Sequence, residues 1–225
     1  MNSFIRITLT ATPDQQARLQ ALQSAFAQVC NAISPIVQQT RCWNRVALHH
    51  MVYKSLRAKF PALGSQMVCN AIYSVSRTSR MVYQHPTSPF NVARLGEQAL
   101  PLLRFSDNCP VYFDRHTLSV KDRQLSMYTL DGRMRFELAL KPEDEATFHD
   151  MKLQEIVLSR QTNDSFELRF NFSDTAAADS STLQGDGPEL ALTHPEPREA
   201  GLSQPVAGVD PAPAFPEYVM VEEAA

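Results

Sequence analysis

Acidic residues are missing from one long stretch of this chain. Residues 15–96 contain no Asp or Glu, yet they carry Arg18, Arg41, Arg45, Lys54, Arg57, Lys59, Arg77, Arg80 and Arg94. The formal net charge of −3 therefore conceals a segregation. Residues 1–173 hold 20 Lys and Arg against 14 Asp and Glu, a balance of +6, whereas residues 174–225 hold one against ten, a balance of −9. Clustered cations of this kind suit a polyanion, because binding a phosphate backbone releases its condensed counterions. A solvated helical surface that simply lacks acids would give the same count.

Other shortages narrow the function classes. No run of about 18 apolar residues occurs, which excludes a spanning helix, and the opening MNSFIRITLT is too polar for a secretory leader. A soluble protein of the cell interior is expected. Cysteine is sparse, with Cys30, Cys42, Cys69 and Cys109 scattered and no C-x-x-C, so free reduced thiols are expected rather than a zinc site or disulfides. The 7 glycines form no Walker A loop, nucleophile elbow or G-x-G-x-x-G. His49 and His50, adjacent on an expected helix, point about 100° apart and so do not form the i, i+4 pair that grips a metal.

What is present reads as strand, helices, strands, linker and a short terminal segment. Ile5, Ile7 and Leu9 alternate with Arg6 and Thr8, the period of a half-buried strand. Thr12-Pro13-Asp14-Gln15 carries an N-cap, a proline at the first helical position and the partner of a capping box. The stripe Leu19, Leu22, Phe26, Val29, Ile33 follows, and Pro35 is expected to kink or end this helix. A second helix is expected over 43–60, with Val46, Tyr53, Leu56 and Phe60 near one face and Arg45, Lys54, Arg57 and Lys59 toward solvent. A third starts after an N-cap at Ser65, buries Val68, Ile72, Val75 and Val82, and sets Arg77 and Arg80 one turn apart. Trp43, Tyr53, Tyr73 and Tyr83 are placed either to fill the core or to stack on bases among the arginines.

From residue 101 the period becomes that of strands. LLRFS, PVYFD and TLSVKD are short candidates. LSMYTL and RMRFELAL flank Asp131-Gly132, which predicts a hairpin with a type I′ turn. KLQEIVLSR and SFELRFNF, separated by QTND, predict a second hairpin, and KPEDEATFHD between the two reads as a short helix or loop. The expected result is α+β: a twisted antiparallel sheet or small barrel that includes the first strand, with the basic helices inserted into it. Residues 174–205, rich in Ala, Ser, Asp, Glu, Pro and Gly, are expected to be a disordered linker.

The order of these segments carries a resemblance. The first strand, the Thr12-Pro13-Asp14-Gln15 start, Ala27, Cys30 and Asn31, then LRAKFPALGSQMVCNAIYSVSRTSR at 56–80 and VYFDRHTLSVKDRQLSMYTLDGRMRFEL at 111–138 resemble the N-terminal half of the TnpB, or OrfB, proteins of bacterial and archaeal insertion sequences. The resemblance covers about residues 1–173 and, weakly, 206–210. It implies an antiparallel, barrel-like β wedge domain from residues 1–11 plus 101–173, split by a helical recognition domain over 12–100. A disordered acidic tail then leads to residues 206–225, the stub of a RuvC-like nuclease domain. It implies a prokaryotic cytoplasmic protein that binds guide-type RNA, DNA or both.

In that family a Gly-Val-Asp step opens the nuclease, and Gly208-Val209-Asp210 matches it. Two-metal hydrolysis needs several converging carboxylates, which the family takes from further downstream. Pro211 and Pro213 follow Asp210 where the family continues with an apolar strand, and prolines do not pair inside a sheet. The expectation is therefore a truncated relative without nuclease activity, with no catalytic residue, no metal site and no cofactor. Arg41, Arg45, Lys54, Arg57, Lys59, Arg77 and Arg80 are its expected phosphate contacts. The alternative is a non-catalytic interaction module, in which the acidic tail folds onto the basic helices or binds a protein partner. No membrane partner is expected.

Overall fold

The computed structural model describes residues 2–121, 123–173 and 215–222. Nine strands and five helices occur among them: β1 (Asn2–Leu9), α1 (Pro13–Thr40), α2 (Arg45–Lys59), α3 (Ser65–Gln84), α4 (Val92–Leu95), β2 (Leu102–Phe105), β3 (Val111–Phe113), β4 (Leu118–Lys121), β5 (Gln124–Thr129), β6 (Gly132–Glu137), α5 (Pro142–Asp150), β7 (Lys152–Arg160), β8 (Phe166–Ser173) and β9 (Val219–Glu222). Long-range antiparallel pairing makes the fold mixed α+β.

Helix α1 starts as its sequence dictates. The Thr12 hydroxyl accepts from the Gln15 amide at 3.3 Å, and the Gln15 side chain accepts from the Thr12 amide at 2.9 Å, so two orphan donors are satisfied reciprocally. All five residues of the apolar stripe are buried. Pro35, however, does not end the helix, which runs on to Thr40. One backbone hydrogen bond is forfeited there, but Ile33 and Val37 on either side are buried, and packing outweighs the missing donor. The left-handed Arg41, at φ 52°, terminates it instead.

The other helices shift in detail. Asn44 caps α2 through its side chain, and the buried face is Leu48, Val52 and Leu56, while Val46 is 60% exposed. In α3 the buried face is as the spacing predicts, but Gly64 holds the N-cap position, without a side-chain bond.

The strands do not close into a barrel. They form three open antiparallel sheets: β1-β8-β7-β3, β2-β9 and β4-β5-β6. Closure would need β1 and β3 to pair, and β3 is only 3 residues long. The N-terminal strand joins the principal sheet, pairing with β8 from Asn2↔Ser173 to Leu9↔Phe166. That register puts Ile5, Phe170, Ile156 and Phe113 in one row on the inner face. Phe148 of α5 packs edge-on against Phe170 and Phe172 at 5.0 and 5.1 Å.

The β5–β6 hairpin forms, but not with a type I′ turn. Thr129 pairs with Gly132, leaving Leu130 and Asp131 as the loop, and only Gly132, at φ 92°, has positive φ there. Asp131 thus keeps a negative φ, which a type I′ turn would not allow.

Residues 215–222 also depart from expectation. They fall in the segment 206–225 expected as the stub of a separate domain, yet Val219 is 7% exposed and Phe215, Tyr218 and Val221 lie against the core. Strand β9 pairs with β2 from Leu102↔Glu222 to Phe105↔Val219. The linker assigned to 174–205 and the step Gly208-Val209-Asp210 lie outside the described residues.

Because Phe170 is fully buried at the centre of the inner face, Phe170→Ala should cost about 3–5 kcal/mol. Urea unfolding measures this. A cost below about 1 kcal/mol would mean that the inner face is not the core.

Candidate nucleic-acid interface

The seven expected phosphate contacts are not equivalent in space. Arg41 is exposed but donates to the Gly96 carbonyl at 2.6 Å, tying the end of α1 to the turn after α4. Arg57 is half-buried and donates to the Leu63 carbonyl, holding the α2–α3 connection. Lys54 and Lys59 are exposed on α2, the latter 5.5 Å from the centre of the Phe60 ring. Arg80 is exposed on α3.

Arg45 and Arg77 are brought together by Tyr73. The Arg45 guanidinium lies 5.1 Å from the Tyr73 ring centre. One turn along α3, Arg77 ion-pairs with Glu155 of β7 at 2.5 Å, and the Tyr73 hydroxyl donates to the same carboxylate oxygen at 2.8 Å. Acids are absent from the sequence around Arg77, but β7 supplies one from 78 residues away. The remaining Glu155 oxygen accepts from the Asn171 side chain of β8 at 3.0 Å. Burial works against the Arg77 charge, but Tyr112, Glu155 and Tyr73 outweigh it and raise its pKa.

From Asn171 the polar chain continues across the outer face of the sheet. Arg169 donates to the Asn171 side-chain oxygen at 2.9 Å, and its guanidinium lies 4.5 Å from the ring centre of Phe4 on β1. Arg6, directly opposite Arg169 in register, lies 5.1 Å from the same ring. Phe4 is 52% exposed. A cavity of about 270 Å³ opens beside it, lined by Ser3, Phe4, Gln154, Arg169, Asn171 and Phe172.

The result is a continuous strip from α3 over β7 and β8 to β1, composed of Arg77, Glu155, Asn171, Arg169, Phe4 and Arg6. Such a strip offers a π face and flanking guanidinium planes, on which a planar ring can stack, and donors that fit phosphate oxygens. Two acids temper it: Glu155, held by Arg77, and Glu167, 3.9 Å from Arg6.

The sequence reading of the helices did not reach Phe4 and Arg169. Both occupy the polar phase of an alternating strand, FIRITL and SFELRFNF, which marked them as outward-facing. Only the β1–β8 pairing places them against each other. Of the aromatics expected to stack on bases or fill the core, Tyr83 is buried, with Trp43 against it at 5.5 Å, and Tyr53 stacks on His49 at 4.6 Å. Burial, then His50 and Arg45, lower the His49 pKa.

Among the described residues no group of three or more His, Cys, Asp or Glu is placed to hold a metal ion. All four cysteines are free, with Cys30 and Cys109 buried. No described helix is long and apolar enough to cross a membrane. No protein-family model matches the chain, and no curated protein matches it.

Four tyrosines resist ionisation. Burial raises the pKa of Tyr73, Tyr83, Tyr112 and Tyr218 above 10.0; the Glu155 charge adds to the effect on Tyr73, and Tyr218 adds to that on Tyr112. The folded chain thus keeps protons that the unfolded chain releases. The stabilisation is complete below pH 10 and is lost as pH rises above it. Tyr83 donates to the Pro101 carbonyl at 2.6 Å, so Tyr83→Phe should cost about 1 kcal/mol at neutral pH and make the alkaline loss of stability less steep. Urea titrations at several pH values measure both effects. An unchanged alkaline slope in the variant would contradict the assignment.

Proposed function

We propose that this chain is a nucleic-acid-binding protein of the TnpB/OrfB kind, which holds RNA or DNA along the outer face of the four-stranded sheet and the neighbouring basic helices. The observation that carries the reading is Phe4, exposed and flanked by Arg6 and Arg169 on a sheet face. Lys54, Lys59 and Arg80 add exposed positive charge on α2 and α3. The order of sequence segments supports the family, and the excess of cations in residues 1–173 supports a polyanionic ligand. Stacking on Phe4 would favour single-stranded segments, because a base inside a duplex has no free face.

The test is a salt titration of binding to single-stranded RNA and DNA. The log–log slope should be about −0.7 per phosphate neutralised. Phe4→Ala should weaken binding by about 1–3 kcal/mol while leaving the slope unchanged, since it removes stacking and no charge. Arg169→Glu should weaken binding and flatten the slope. Absence of binding at low salt, with the variants equal to the parent, would overturn the reading.

We assign the chain no cleavage step. With magnesium or manganese present it should leave DNA and RNA intact, as followed on gels. Metal-dependent cutting that disappears in Asp210→Ala would contradict this.

A further inference from the structure

The edge of β2 is built to receive a strand. The N–H and C=O groups of alternate strand residues leave on opposite sides, and β2 has a different partner on each. On one side the Asn31 side chain, from α1, imitates a strand residue: its Nδ2 donates to the Phe105 carbonyl at 2.8 Å, and its Oδ1 accepts from the Phe105 amide at 2.8 Å. The carbonyls at the start of β2 are held as well, since Gln38 donates to Leu100 O at 2.9 Å and Tyr83 to Pro101 O. These bonds come from α1 and α3 and owe nothing to β9. The acceptor edge is therefore positioned by the body of the protein.

The occupant of the other side is held much more lightly. Strand β9 is 4 residues long and, among the described residues, pairs with β2 alone. Of its side chains only Val219 is buried, and Met220 is 59% exposed. The Glu222–Arg104 ion pair, at 3.1 Å, joins two half-exposed groups and contributes little. Just before the strand, Tyr218 offers its carbonyl to the Ser106 amide and hydroxyl at 3.0 and 3.1 Å, and Phe215 packs against Phe90 at 5.8 Å. The Tyr218 hydroxyl also hydrogen-bonds with Tyr112 and Thr78, so the segment is anchored just ahead of β9, and β9 itself, with one buried side chain and one paired edge, is its weakly held part.

We propose that the β2 edge, with Phe90, Ser106 and Arg104, is a binding site for an extended peptide, and that residues 215–222 are its exchangeable ligand, able to be supplied by a second copy of this chain. The recognition pattern is an aromatic residue at 215, a tyrosine at 218, a β-branched residue at 219 and an acid at 222. Backbone pairing supplies affinity and the alternate side chains supply selectivity, as in strand addition to other sheets. The site adjoins the outer face of the four-stranded sheet where Tyr218 meets Tyr112 beside Arg77, but the proposal does not depend on the nucleic-acid reading.

The test uses the full chain and a labelled synthetic peptide of residues 215–225, followed by fluorescence anisotropy. Val219→Asp in the chain should loosen its own strand, so the peptide should bind this variant saturably and bind the parent about 100-fold or more weakly, because the parent's tethered segment competes at an effective millimolar concentration. A peptide carrying the same Val219→Asp change should not bind. A folded variant that takes up no peptide overturns the proposal. If the variant does not fold, hydrogen exchange of the parent decides. Amides of β9 exchanging about 100-fold or more faster than those of β8 would support an exchangeable strand. Equal rates would make it part of the core and overturn the proposal.

Discussion

Pairing between β1 and β8 is the constraint from which the rest of the structure follows. It joins the first strand of the chain to a strand more than 150 residues later and so encloses all five helices within one sheet connection. Register matters as much as pairing. In the observed register Ile5, Ile7 and Leu9 face inward with Phe166, Leu168 and Phe170. A slip of one residue would bury Phe4, Arg6 and Thr8 instead. Arg6 would then have to leave water, so the apolar face and the basic face specify the same alignment from opposite sides.

The outer face inherits its character from that alignment. Arg6, Arg169 and Phe4 meet only because their strands are neighbours, and Arg77 reaches them only through Glu155 and Asn171. Glu155 has two effects. It fixes Arg77 and Tyr73 in place, which gives the helix and the sheet a defined junction, and it neutralises one of the cations that the sequence leaves unopposed. Exposed positive charge is thus spread between the helices and the sheet face, rather than confined to the helices.

How much of this was legible in the sequence depends on the range of the interaction. Thr12 with Gln15, the Leu19-to-Ile33 stripe and the two hairpins depend on neighbours a few residues away, and local spacing states them directly. Pro35 does not end α1 because tertiary burial of Ile33 and Val37 outweighs one missing donor. The hairpin around Asp131-Gly132 was read correctly, but its loop falls one residue earlier, on Leu130 and Asp131, so Asp131 does not take the positive φ of a type I′ turn. A twisted sheet and a small barrel both stayed open because alternation identifies strands without naming their partners, and the pairing observed is that of open sheets. The pairing of Val219–Glu222 with Leu102–Phe105 was hidden for the same reason, since the segment holding β9 read as the stub of a separate domain. For the site, helical cations were visible as a run without acids, whereas Phe4 and Arg169 needed the sheet register.

The most direct measurement of the central claim is a heteronuclear NMR titration of the isotope-labelled full chain with a short single-stranded oligonucleotide. Amide and arginine Nε signals of Phe4, Arg6, Arg169 and Asn171 should shift together and saturate at one affinity, with smaller changes on α2 and α3. Shifts confined to the helices, with the sheet face unmoved, would contradict the account.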